Sequence, residues 1–350
     1  MPATIYISLT VDWEGRIFEK ETSPYPSENL EGLESLRQAI EKLGFDVPWT
    51  HFITPNYWLN GTDDPTAVLG STSAINWAKD EIGLHVHCWY DLVTSAVVDP
   101  LLRQPTFGSV NGFGDDTTGH GVPLGAYSVP DIVKIVTSSK NLLEAKLPHP
   151  FVVKGFRCGG WMSDDDVLQA LMQTGFAYDC SAVPPEIFSH DFSKSSLGDK
   201  RDTVGDENSI TDFVVDLWGY IPQDAGVVKN SLSLKWNRTE AILPVTQPYK
   251  IFQDSSSIIE MPNNGGLSDY TSEAYMSAAF EAAVAIAKTS TEPIFLNIGC
   301  HQEGPMVYKQ SLLDFFTKNK EQLLLLQEQG KLDFDTVYGA SKSADLHMVD

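Results

Sequence analysis

Two carboxylates, Asp12 and Glu14, stand two residues apart in Thr10-Val11-Asp12-Trp13-Glu14-Gly15, and two imidazoles do the same in Glu81-Ile82-Gly83-Leu84-His85-Val86-His87. That spacing puts both members of each pair on one side of an extended chain. Two histidines with one carboxylate, leaving coordination positions for water, form the ligand set of a catalytic divalent ion rather than a structural one. The other carboxylate is then free to act as a base. D-x-E by itself usually just begins a solvated turn. H-x-H says more, because adjacent imidazoles repel when protonated and are easily tolerated when a cation holds them neutral.

Three further segments end candidate strands with polar groups. Phe156-Arg157-Cys158-Gly159-Gly160-Trp161 presents Arg157, Phe176-Ala177-Tyr178-Asp179-Cys180-Ser181 presents Asp179, and Phe295-Leu296-Asn297-Ile298-Gly299-Cys300-His301 presents His301. Taken singly, Arg157 reads as readily as a surface ion pair and Asp179 as a turn former. Trp13, Trp89 and Trp161 flank the same motifs and could stack on a sugar ring, as could Trp218. The cysteines at 88, 158, 180 and 300 follow the motifs closely and read as small apolar residues packed beneath them.

The elements that must position these residues alternate. Ile5, Ile7, Leu9 and Val11 mark a strand ending near Asp12, and Leu30, Leu33, Leu36, Ile40 and Leu43 mark a helix stopped by Gly44. Strands are expected over 47–53, 81–87, 151–157, 176–180, 213–218, 258–261, 294–300 and 332–337. Helices are expected over 130–147, 272–288, 312–329 and a segment opened by Ser163 with Asp166 three residues on. This rhythm predicts a parallel sheet closed into a barrel, whose C-terminal strand ends share one rim. Asp12, Glu14, His85, His87, Arg157, Asp179 and His301 would then meet around one pocket. Two Gly-, Ser- and Asp-rich stretches, about 91–128 and 189–248, read as long loop insertions on a single catalytic domain covering 1–350.

In this order the residues resemble the polysaccharide deacetylase superfamily, with its NodB homology domain (carbohydrate esterase family 4), over roughly 4–182 and 256–340. The resemblance implies a distorted (β/α)7 barrel and metal-dependent removal of an N-acetyl group from an amino sugar. It assigns Asp12 as general base, Glu14, His85 and His87 as metal ligands, Arg157 as the group orienting Asp12, His301 as general acid and Asp179 as the carboxylate tuning it. It also implies one divalent ion, Zn²⁺ first, with Co²⁺ or Ni²⁺ as alternatives. Asp12-Trp13-Glu14 stands where the common motif has two adjacent aspartates, a spacing compatible with an exchange of roles between Asp12 and Glu14. His85 and His87 are two apart where the common spacing is four.

Composition narrows the partners. The 350 residues carry 47 acidic and 24 basic side chains, a formal charge of −23. That balance opposes nucleic acid and anionic bilayers, which need a basic footprint. The segment Met1-Pro2-Ala3-Thr4-Ile5-Tyr6 has no secretory n-region and no stretch has the length of a membrane span, so a cytoplasmic protein acting on an amino sugar or polysaccharide precursor is expected. The oligomeric state is left open. Competing readings are a metal amidohydrolase acting on a small non-sugar amide, a cupin-like oxygenase, which the helical segments oppose, and a carbohydrate-binding pseudo-enzyme.

Overall fold

The computed structural model describes residues 3–14, 27–60, 64–101, 119, 122–161, 163–182, 247–253, 255–268, 271–302 and 311–348. The expected strand 213–218, Trp218 and most of the second insertion lie outside these residues.

Among the described residues nine strands form one curled sheet: β1 (Ile5–Trp13), β2 (Trp49–Ile53), β3 (Glu81–Val86), β4 (Gly155–Cys158), β5 (Tyr178–Asp179), β6 (Tyr249–Gln253), β7 (Ser256–Glu260), β8 (Ile294–His301) and β9 (Leu332–Phe334). Seven run parallel in the order β7-β5-β4-β3-β2-β1-β8. β9 pairs with Ile5–Ile7 at the start of β1, and β6 pairs antiparallel with β7. Parallel strands need crossovers, and helices such as Ser27–Lys42, Val129–Lys146 and Glu273–Ala287 supply them. Gly44, at φ +102°, ends the first helix where a side chain would be strained. The distorted (β/α)7 barrel expected from the sequence is the architecture observed.

β6 pairs with the other side of β7, and among the described residues no strand ladder joins β7 to β8. Side-chain amides take its place. Gln247 accepts from the Phe295 N–H (2.8 Å), while Asn264 donates to the Phe295 carbonyl (2.9 Å) and accepts from the Asn297 N–H (2.9 Å). Higher up, Ser268 N–H donates to the Gly299 carbonyl (2.8 Å), and Gly299 N–H donates to Gly266 (3.0 Å), which sits at φ +75°. These groups thus serve the buried edge of β8 where, among the described residues, no strand pairs with it.

Strand alternation separates two cores. Ile5, Ile7, Leu9, Val11 and Trp13 of β1 face the helices, whereas Phe52, Tyr178, Cys180, Ile259, Met261 and Phe295 fill the barrel. The helix Val337–Asp345 closes the barrel floor with Val337, Ala340 and Ala344. Its first N–H groups point at buried side chains: Val337 donates to Thr50 Oγ1 (2.9 Å) and Tyr338 to Glu81 Oε2 (2.8 Å), while the Tyr178 hydroxyl donates to Glu81 Oε1 (2.7 Å). Glu81 is therefore an anchor for the floor, a role its motif position did not suggest.

Several local expectations are corrected. Asp164, not Ser163, caps the helix Asp165–Gln173, accepting from the Val167 N–H (2.9 Å). The single helix expected over 312–329 is two, Ser311–Lys318 and Lys320–Glu328, broken where the Asn319 amide turns inward to donate to Ser277 Oγ and the Phe315 carbonyl (2.8 Å each). The segment 335–337 leaves β9 to enter the floor helix. β6 was not foreseen.

Candidate metal centre

β1 ends at Trp13, so Glu14 projects just beyond the ladder at the C-terminal rim of the barrel. Three imidazoles converge on its carboxylate. His85 Nε2 lies 3.0 Å from Glu14 Oε2, His87 Nε2 touches the same oxygen, and His301 Nε2 lies 2.9 Å from Oε1. Ligand atoms of Glu14, His85 and His87 all lie within 4.8 Å of one another. Glu14, rather than Asp12, therefore stands with the histidines.

The chemistry of these donors fits a cation. His85 Nδ1 faces the Arg157 carbonyl at 2.9 Å, an acceptor, so this nitrogen carries the ring hydrogen. With Nδ1 so engaged, Nε2 is the nitrogen left to face the carboxylate oxygen, a contact that is favourable only with a proton or a metal ion between them. One carboxylate cannot balance three imidazolium charges, whereas one divalent ion relieves the whole cluster. Burial alone would raise the Glu14 pKa. The His87 charge and hydrogen bonds from His301, His85 and His87 more than offset it and hold Glu14 well below the usual carboxylate range.

Asp12 lies on the same face two residues earlier, buried, with Arg157 Nη1 donating to its Oδ1 at 2.6 Å. Arg157 is fully buried. It also donates to Thr10 Oγ1 (3.2 Å), the Cys180 carbonyl and the Cys180 sulfur (3.0 Å each), and its guanidinium lies 4.3 Å from the Phe52 ring centre. Burial works against its charge, and Asp12 followed by Cys180 reverses the balance, so its pKa is raised. Cys180 is thus a polar partner of Arg157. Cys88, Cys158 and Cys300 pack in the outer core, and none of the four cysteines is in a disulfide.

Two expected residues stand elsewhere. Trp13 is fully buried on the opposite face of β1, its indole N–H donating to His51 Nδ1 at 3.0 Å, so it cannot stack on a substrate. Asp179 shares the outward face of β5, because its neighbours Tyr178 and Cys180 point into the barrel. It accepts from Ser181 Oγ (2.5 Å) and sits beside Glu260, its register partner on β7. Burial raises both carboxyl groups, Glu260 the further because the Asp179 charge adds to the effect there. The Asp179 side chain thus turns away from the inner face of the barrel, against the role of tuning His301 that the resemblance implies. Trp89 lies 6.5 Å from the His87 ring and Trp161 6.5 Å from the His301 ring. Trp161 holds the left-handed φ of +55°, a strained backbone for an aromatic residue and a feature that clusters at functional sites.

No family model and no curated protein matches the sequence. Among solved structures, a Mycobacterium smegmatis protein provisionally described as a polysaccharide deacetylase superposes over 100% of this chain and 93% of its own, with a TM-score of 0.52 and 12% identity. The chain therefore has the fold of the polysaccharide deacetylase barrels, in a divergent sequence. More distant likenesses are PuuE allantoinase (97% and 90% covered, 11% identity, TM-score 0.46) and a carbohydrate esterase family 4 enzyme of Streptococcus mutans (91% and 83%, 14%, 0.38). Among the described residues no helix is long and apolar enough to cross a membrane.

Proposed function

We propose that the protein is a divalent-metal-dependent hydrolase that removes an N-acetyl group from an amino sugar in a polysaccharide or its precursor. The observation that carries this reading is the convergence of His85 and His87 on Glu14, with Asp12 held by Arg157 on the same rim. The fold likeness adds the class of barrel in which such a rim stands.

A Zn²⁺-like ion, held by Glu14, His85 and His87, would lower the pKa of water toward about 7 and polarise the acetamide carbonyl. Asp12 takes the proton of the attacking water, and Arg157 holds that carboxylate in place. His85 is held in one tautomer by the Arg157 carbonyl. His301, its Nε2 beside Glu14 Oε1, delivers a proton to the departing amine. Trp89 and Trp161 wall the rim where the sugar ring would lie.

The test is acetate release from a panel of N-acetylated sugars with Zn²⁺, Co²⁺ and Ni²⁺. Asp12→Asn should keep a full equivalent of metal while losing most turnover, and unchanged turnover would overturn the assignment of Asp12 as base. Absence of activity on every sugar, with hydrolysis of small amides, would replace the substrate class.

A further inference from the structure

On the face of β1 opposite Asp12 and Glu14, four polar side chains are buried in a line that none of this chemistry uses. The Trp13 indole N–H donates to His51 Nδ1 (3.0 Å), and His51 Nε2–H donates to Asp80 Oδ2 (3.1 Å). Arg37 Nη2 pairs with that same oxygen, its Nε donates to the Ala74 carbonyl (3.0 Å), and its guanidinium lies 4.3 Å from the Trp49 ring centre. Asp80 also accepts the backbone N–H of Trp49 (3.0 Å) and of Asn76 (2.7 Å). Trp13 and His51 are fully buried, Arg37 5% and Asp80 6% exposed.

The roles of the atoms are determined. Burial holds the His51 pKa below its usual value, with Asp80 opposing, so the ring is neutral and its two nitrogens act as one acceptor and one donor. Burial by itself would raise Asp80, and His51, Arg37 and the Trp49 N–H outweigh it and hold the carboxylate ionised. Apolar side chains of similar volume would serve such a site about as well for stability alone, so the line calls for a reason of position.

Its ends supply one. Trp13 separates Asp12 from Glu14, His51 is on β2, and Asp80 immediately precedes β3, which carries His85 and leads to His87. Glu14 lies past the last ladder residue, so no strand pairing of its own sets its direction. The direction of Trp13 does, because consecutive side chains of an extended chain point to opposite faces. The Trp13 carbonyl is held as well, by the Thr54 N–H at 3.1 Å.

We propose that Trp13, His51, Asp80 and Arg37 form a positioning relay that sets where Glu14 presents its carboxylate to His85 and His87. The relay rests on the metal-centre reading above. Trp13→Phe removes only the N–H, His51→Leu removes acceptor and donor together, and His51→Gln keeps an amide acceptor and donor. Zn²⁺ affinity is measured by competition with a chromophoric chelator, beside thermal unfolding of the metal-free proteins. Trp13→Phe and His51→Leu should weaken Zn²⁺ binding roughly 10- to 100-fold, the range for outer-shell partners of metal ligands, with His51→Gln recovering most of the loss. Wild-type affinity in Trp13→Phe, whatever its melting temperature, overturns the relay. Wild-type protein that takes up no Zn²⁺ instead overturns the metal centre itself, and the relay with it. If His51→Leu does not fold, Trp13→Phe and His51→Gln decide the question.

Discussion

Arg157 serves Asp12 and His85 through different atoms: its guanidinium donates to the Asp12 carboxylate at 2.6 Å, and its backbone carbonyl holds His85 Nδ1 at 2.9 Å. One residue of β4 thus orients the base from β1 and a ligand from β3. The two functions are separable, because a substitution removes only the side chain. Arg157→Met leaves the Asp12 charge buried without its partner and should destabilise the protein by about 3–5 kcal/mol in urea unfolding. Adding Asp12→Asn should restore part of that loss, since the orphaned charge is then gone. Metal stoichiometry should survive in the double variant.

Gly159 lies against the His87 imidazole so closely that a Cβ there would collide with the ring. Gly159→Ala should therefore move His87 before it disturbs the barrel, weakening Zn²⁺ binding by about tenfold or more with little change in the metal-free melting temperature. Equal Zn²⁺ affinities in chelator competition would contradict this.

Glu81 takes hydrogen bonds from Thr50, Tyr178 and the Tyr338 N–H. Glu81→Ala leaves those donors buried and unpaired, at about 1–3 kcal/mol for each group. Hydrogen exchange should show the loss first in the helix Val337–Asp345, where amide protection drops ahead of β1 and β8.

Asp164 is buried beneath the barrel rim, and burial, opposed by the Val167 N–H and reinforced by Asp166 and Asp165, lifts its pKa to about 6. Between about pH 4 and pH 6 the folded state keeps a proton that the unfolded chain has lost, so this group's contribution to stability falls as pH rises through that window. Asp164→Asn keeps the helix cap and removes the titration. Melting curves from pH 4 to 7 should show the variant gaining on wild type as pH rises, by roughly 3 kcal/mol at pH 7, since one pKa unit is about 1.4 kcal/mol.

Period-two alternation and i, i+2 pairs are local properties, which is why β1, β3 and the sides taken by Asp12, Glu14, His85 and His87 were legible in the chain. The βα rhythm likewise carried the barrel, because parallel strands demand crossovers. Relations between strands were not legible. That Glu14 rather than Asp12 meets the imidazoles depends on where β1 stops relative to β3 and β8. Asp179 was misplaced because a strand of two residues gives too little alternation to say which face it takes. Trp13 read as a sugar platform because aromatic residues near strand ends can serve either side, and only packing against β2 shows that it donates to His51. His51 lay unnoticed in the apolar run Trp49-Thr50-His51-Phe52-Ile53, where the one signal was a titratable group among residues due for burial. Residue types and spacing thus determined which groups were available for metal chemistry. The tertiary structure decided which of them meet, because contacts across dozens to hundreds of residues are set by register and closure, which no local window contains.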